Sequence, residues 1–455
     1  MNRNDAPVCW ESLPHTLVYS SHLNTELAQW ADEGRDVESL RALTEAISGL
    51  PLGDFREELA DALYRAFSRA AQRPGYPYDE PSEIIAIRER RPADRPAFSK
   101  PTDPETLRDR IAGAWLGRIC GCLLGKPVEG YTRSQIRTIL RKTSNEPLSR
   151  YMREDPELPE LLGVAPEAYK KRCWIGNIQG CAPVDDDTNY TVMAARCIVG
   201  VYGRGFTPED VARAWIDSQT RRWYCTAEMV AYANIENGIA PPSSACWKNP
   251  FREWIGAQIR GDYFGYINPG DPETAADMAW RDASISHIKN GIYGEMFVAA
   301  MLAAAAVCDD IPRVIEAGLA QIPERSRLTE CVREVIGWHG QGVPAAECIE
   351  RIHRRFDERL PHHWCHTLSN AMIVAAALLY GGGDYGRSIS MAVEASFDTD
   401  CNGATVGSVI GMMVGEKGIP PQWTEPIGGM LDTTIAGIGR ISVQELVSLT
   451  MCQLP

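Results

Sequence analysis

The chain has 455 residues, with 46 Lys+Arg against 60 Asp+Glu for a formal charge of −14. Hydrophobic residues make up 44% and charged residues 23%, an ordinary globular composition that excludes a disordered or collagen-like chain. A pI near 5.2 argues against a nucleic-acid backbone as partner, because phosphate contacts need clustered Lys and Arg.

At the N-terminus, MNRNDAPVCWESL has no apolar core of the kind a signal peptide needs. Residues 1–100 then carry apolar positions at three- and four-residue spacing over Thr25–Ala31, Asp36–Ser48 and Asp54–Ala71, which predicts amphipathic helices. Arg73–Pro101 holds six prolines among many charges, the chemistry of a linker. The expected organisation is a helical N-terminal extension over 1–100 and a main domain over 101–455.

From Leu107 onward the pattern is helical almost throughout. Apolar recurrence or continuous apolar runs of helical length cover Leu107–Leu124, Asn189–Val201, Pro208–Thr220, Ala275–Asp282, Gly294–Cys308, Leu368–Leu379, Tyr385–Ala395 and Asn402–Val414. Alternating β-branched stretches are scarce, so the predicted class is all-α, a compact bundle of many helices. Ala- and Gly-rich faces, as in GEMFVAAMLAAAA and NGATVGSVIGMMVG, let helix axes approach closely. The longest apolar runs, Met296–Cys308 and Ala371–Tyr380, fall short of the ~18–20 residues of a spanning helix, so no membrane partner is expected. The 14 cysteines are scattered singly apart from Cys120-Gly-Cys122, which fits reduced thiols in a cytoplasmic protein.

Two acidic segments stand out, Asp185-Asp186-Asp187-Thr188 and Asp398-Thr399-Asp400-Cys401, each just before a small-residue helix. One Asp there is explained by helix capping. Consecutive carboxylates add mutual repulsion that a bound cation would relieve. Oxygen ligands suit hard ions such as Mg²⁺ or Mn²⁺, and neither segment offers the His or CxxC pair of a zinc site. A third element places glycines at 113, 117, 121 and 125, one stripe along a helix, before Pro127 and Glu129.

Taken in order, these elements resemble the ADP-ribosylglycohydrolase family over roughly residues 107–440. Its glycine helix and loop glutamate are matched by Gly121–Glu129, its Asp-Asp-Thr loop by Asp186-Asp187-Thr188, and its Asp-Thr-Asp motif by Asp398-Thr399-Asp400. The resemblance implies an all-α hydrolase, a glycosidase with two divalent cations, Mg²⁺ or Mn²⁺, that cleaves a bond at C1 of a ribosyl group. Asp185, Asp186, Asp187, Asp398, Asp400 and Cys401 would form the metal set. Glu129, and Asp187 with it, would be catalytic. For substrate binding it implies Gln258, Arg260 and Asp262 at the place of the family's phosphate loop, and His287 at that of its Thr/Ser-His pair. Phe264, Tyr293 and Glu295 join the substrate set on their own character, Phe264 and Tyr293 as rings able to stack.

Several positions depart from the family pattern. Cys401 replaces a metal-binding Thr, Cys122 a frequent Asp and Asp185 a common Thr, and the phosphate loop lacks its Asn-Gly pair. The expected partner is a ribose-containing small molecule or an ADP-ribosylated protein. The alternative is a catalytically inactive ADP-ribose-binding or crystallin-like protein of the same fold. His362, His363 and His366 invite a zinc reading, but lack a second cluster with zinc-site spacing.

Overall fold

The computed structural model describes residues 9–455; residues 1–8, which begin the segment read above for a signal core, lie outside them. The protein is all-α, and its one sheet among the described residues is a short hairpin pairing Met430–Asp432 with Arg440–Ser442. All fourteen cysteines are free. No helix of the described residues is long and apolar enough to cross a membrane.

The predicted helices form with boundaries moved by a few residues. The extension holds Leu23–Asp32, Arg41–Ser48 and Asp54–Arg69, whose apolar faces meet in a small core of Leu23, Leu27, Ile47, Leu63 and Phe67. The proline-rich stretch after it is no loose linker. It carries a short helix, Ile84–Glu89, and buries Glu80 and Arg91 against the main domain. Prolines removed backbone donors there, and side-chain ion pairs fix the chain instead.

Four helices make the centre of the main domain: Pro104–Gly125, Lys289–Ala305, Thr367–Gly381 and Thr399–Val414. Beyond the polar first two turns of Pro104–Gly125 they are mostly apolar and buried all round, as expected for helices with no solvent face. Amphipathic helices such as Pro208–Ser218, Pro272–Ala283 and Tyr385–Glu394 pack around them. The predicted run Asn189–Val201 starts earlier, as Asp186–Met193, and continues through a π-turn over Ala194–Val199.

The glycine stripe decides how the centre is built. Pro104–Gly125 runs antiparallel to Thr399–Val414, with Gly113, Gly117 and Gly121 facing Gly411, Gly407 and Gly403. A Cβ on Gly117 would lie 2.1 Å from the Gly407 carbonyl oxygen, and one on Gly121 2.0 Å from that of Gly403. Only glycine permits backbones this close.

Candidate active site

That seam fixes the ends of its two helices. Gly125 packs on Thr399, where an added Cβ would lie 2.2 Å from the carbonyl oxygen, and Thr399 Oγ1 donates to the Gly125 carbonyl at 2.9 Å. The turn Lys126–Val128 and Glu129 therefore lie beside Asp398 and Asp400. The chain reaches Asp398 through Ser396 and Phe397, both at positive φ (67° and 58°). Such strain in non-glycine residues costs about 1–3 kcal/mol each and persists where the surroundings enforce it. Asn370 does part of that, as its Oδ1 accepts from the Asp398 amide at 3.1 Å and from Asn402 Nδ2 at 2.8 Å.

The third approach is the N-terminus of Asp186–Met193. Asp185 caps it conventionally, its Oδ1 accepting from the Asp187 amide at 3.0 Å. Arg118, buried in the glycine helix, binds the Asp187 carbonyl at 2.8 Å and its Oδ1 at 3.1 Å, and pairs with Asp262 at 2.9 Å. By contrast Asp398 sits at an N-cap position without making a capping bond.

Three groupings result, in each of which one atom per residue lies within 4.8 Å of the others: Cys122, Asp185 and Asp187; Asp187, Asp400 and Cys401; Glu129, Asp398 and Asp400. Among the described residues Asp186 joins none of them. Asp187 Oδ2 and Asp400 Oδ1 are buried and have no hydrogen-bond partner. Lys126 Nζ stands among the carboxylates, 2.9 Å from Glu129, 2.7 Å from Asp185 and 2.8 Å from Asp400. Burial pushes Asp187 and Asp398 well above the carboxylate range. At Asp400 the Lys126 ammonium overcomes burial and holds the group below that range. The neighbouring Asp400 charge, then burial, push Glu129 up to about 7. Burial and the surrounding carboxylates raise the Cys401 thiol well above its ordinary value.

The profile of the ADP-ribosylglycohydrolase family matches residues 103–450. This chain belongs to that family. A solved structure described as an ADP-ribosylglycohydrolase-related protein complex shares 19% identity, covers 77% of this chain and 98% of its own, and superposes with a TM-score of 0.41, too low to carry an argument. A search of curated proteins finds no match.

In this ADP-ribosylglycohydrolase family member the expected substrate residues do not gather at the acidic centre as open groups. Arg260, expected at a phosphate, is buried, and its donors go to Glu228 at 2.7 Å, Asp282 at 2.6 Å and Ser286 at 3.1 Å. Glu295 lies 3.6 Å from the same group, and Asp262 belongs to Arg118. Gln258 is fully buried, its amide without a partner. His287 is buried, bonded through Nδ1 to Ser286 Oγ at 2.8 Å and kept neutral by burial. Phe264 packs on Phe206 at 5.4 Å, and Tyr293, fully buried, donates to the Pro81 carbonyl. Turn-like polar sequence between core helices looks the same whether it faces a ligand or seals an internal ionic layer.

His362 and His366 also resolve. Each Nδ1 accepts a hydrogen bond, from Trp254 Nε1 at 3.1 Å and from the Leu368 amide at 3.1 Å. Asp32, His362 and His366 come within 4.8 Å of one another, but with each Nδ1 accepting, the tautomer that satisfies these bonds puts the proton on Nε2 and leaves no lone pair for a metal. His362 spends its proton on Asp32 at 2.9 Å, and His366 is buried rather than lining a cleft.

Sequence reasoning passed over Lys126 and Arg118. A lysine beside proline on a turn reads as surface, and an arginine in a glycine-striped helix gives no periodic signal. Only its i+3 relation to Glu129 hinted at the role of Lys126.

Proposed function

We propose that the protein is a divalent-metal-dependent glycosidase cleaving a bond at C1 of a ribosyl group, on an ADP-ribosylated protein or on a smaller ADP-ribosyl or N-riboside compound. Family membership supports the hydrolase class. The observation that carries the metal dependence is the pair of buried, unpartnered oxygens, Asp187 Oδ2 and Asp400 Oδ1, brought together from segments more than two hundred residues apart. A buried carboxylate oxygen without a partner is costly, and a hard cation satisfies it. Mg²⁺ or Mn²⁺ fits this donor set, with Asp187 and Asp400 offering the open oxygens, Asp185 and Asp398 beside them and Cys401 at the edge. Bound there, the ion would polarise substrate oxygens and make water a better nucleophile at neutral pH.

The chain supplies the rest. Arg118 holds Asp187 by backbone and side chain at once, so the carboxylate cannot rotate away. Glu129, partly exposed where the other carboxylates are buried, takes or gives a proton near neutral pH while positive character grows at C1. Arg260 is fully engaged, so a substrate diphosphate must find other donors, and the smaller riboside stays in the substrate class.

Incubation with Mg²⁺ or Mn²⁺ and a panel of ADP-ribosylated proteins, NAD derivatives and nucleosides tests the reading by the ribose product released. Binding without release from any of them would point instead to the inactive, ligand-binding relative. Isothermal titration with Mn²⁺ tests the ligand set: Asp187→Asn and Asp400→Asn are each expected to weaken binding. Wild-type affinity in Asp400→Asn would refute a centre shared between the two segments.

A further inference from the structure

We propose that the Lys126 ammonium is a resident cation of the acidic centre, so that the centre takes one divalent ion rather than the two that the family resemblance implies. The inference rests on the metal-dependent reading above. Lys126 Nζ touches carboxylates from three separate segments, Glu129, Asp185 and Asp400, all within 2.9 Å. An ordinary ion pair joins two side chains; here one ammonium lies within ion-pair distance of three carboxylates, hydrogen-bonded to Asp400 Oδ2 and paired by charge with Glu129 and Asp185. The packing of Gly125 on Thr399 fixes the backbone from which Lys126 projects.

The two sides of the centre then differ. Lys126 already meets one oxygen each of Glu129, Asp185 and Asp400, Oδ2 in the last case. A metal ion bound to the same oxygens, at ~2.0–2.6 Å, would sit close to the ammonium, and the repulsion between them would be strong in a buried setting. On the side of Asp187, Asp400 and Cys401, which lie within 4.8 Å of one another, Asp187 Oδ2 and Asp400 Oδ1 are left without partners. Arg118 occupies only the other oxygen of Asp187. One cation is wanted there, and one fits.

The test is a count of ions. Full-length protein is stripped with EDTA and dialysed against saturating Mn²⁺. Bound manganese is measured by elemental analysis, and its spectrum by electron paramagnetic resonance. Wild type and Lys126→Arg are expected to hold one ion per chain with an isolated-ion spectrum. Lys126→Met is expected to hold two, with an exchange-coupled signal. Two ions on the wild type overturn the proposal, and that count decides even where Lys126→Met fails to fold. A count of one in folded Lys126→Met overturns it too, because the lysine is then not what excludes the second ion. No manganese on the wild type overturns the metal-dependent reading itself, an outcome distinct from the other two.

Discussion

Glu129 differs from the carboxylates grouped with it in being partly open to solvent, and its side chain makes no bond besides the contact with Lys126, its carbonyl being held by Arg172 at 2.9 Å. A neutral isostere there should therefore cost chemistry and little else. Glu129→Gln is expected to lower kcat by ~10²–10⁴-fold, the usual worth of a positioned acid–base group, with the melting temperature and Mn²⁺ affinity close to wild type. Turnover at the wild-type rate would make the glutamate a bystander. The neighbouring aspartates admit no such clean test, because Asp185 caps a helix and Asp187 anchors Arg118. Each of them holds the fold and the site together, and a loss of activity in either has two explanations.

At the scale of elements, the antiparallel glycine seam sets the register between the Glu129 turn and the Asp398–Asp400 loop. The stripe at 113, 117, 121 and 125 was visible as a promise of close helix contact. Its partner stripe at 403, 407 and 411 became visible only when the helices met. Gly117→Ala puts a Cβ 2.1 Å from a backbone oxygen of the facing helix, where no flexible side chain can yield. A loss of about 1–3 kcal/mol or more is expected, read as a lower urea midpoint, together with weaker Mn²⁺ binding as the loops shift apart. Gly176→Ala, with open space around its Cβ and an ordinary φ, is the control expected to change neither. Equal midpoints for the two variants would remove the seam from the account of the site.

Across the whole molecule, the extension is held by buried charge as much as by apolar contact. Arg252 of the main domain pairs with Glu26 at 3.1 Å and Glu33 at 2.7 Å, and Arg327 with Glu80 and Glu253, both at 2.8 Å. The extension supplies three buried acids, Glu26, Glu33 and Glu80, to a basic face, while most of its other glutamates stay at the surface. His22 sits at the same junction, its ring edge-on to Phe251 at 4.9 Å, and burial lowers its pKa to about 4. Unfolded, it titrates near 6.5. Between those values the unfolded chain binds the extra proton, so stability is lost as pH falls from about 6.5 towards 4. His22→Gln is expected to flatten the melting temperature against pH within that window. An unchanged slope would show that His22 stays neutral at no cost to the fold.

What the sequence determined by itself is what is local or ordered along the chain: the helical class from apolar period and the family from three motifs in fixed order. Glu129, Asp187, Asp398 and Asp400, which the fold brings together, each lie inside a motif, whereas Asp186, in the same motif, joins no grouping among the described residues. The tertiary structure alone decided which polar residues are available. Arg260, read as a ligand contact, is paired with Glu228 and Asp282, while Lys126, given no role by the sequence, stands among the carboxylates. The reason is physical. A charge is free or spent according to the partners that distant segments bring within about 3 Å of it, and neither period nor composition of the chain carries that distance.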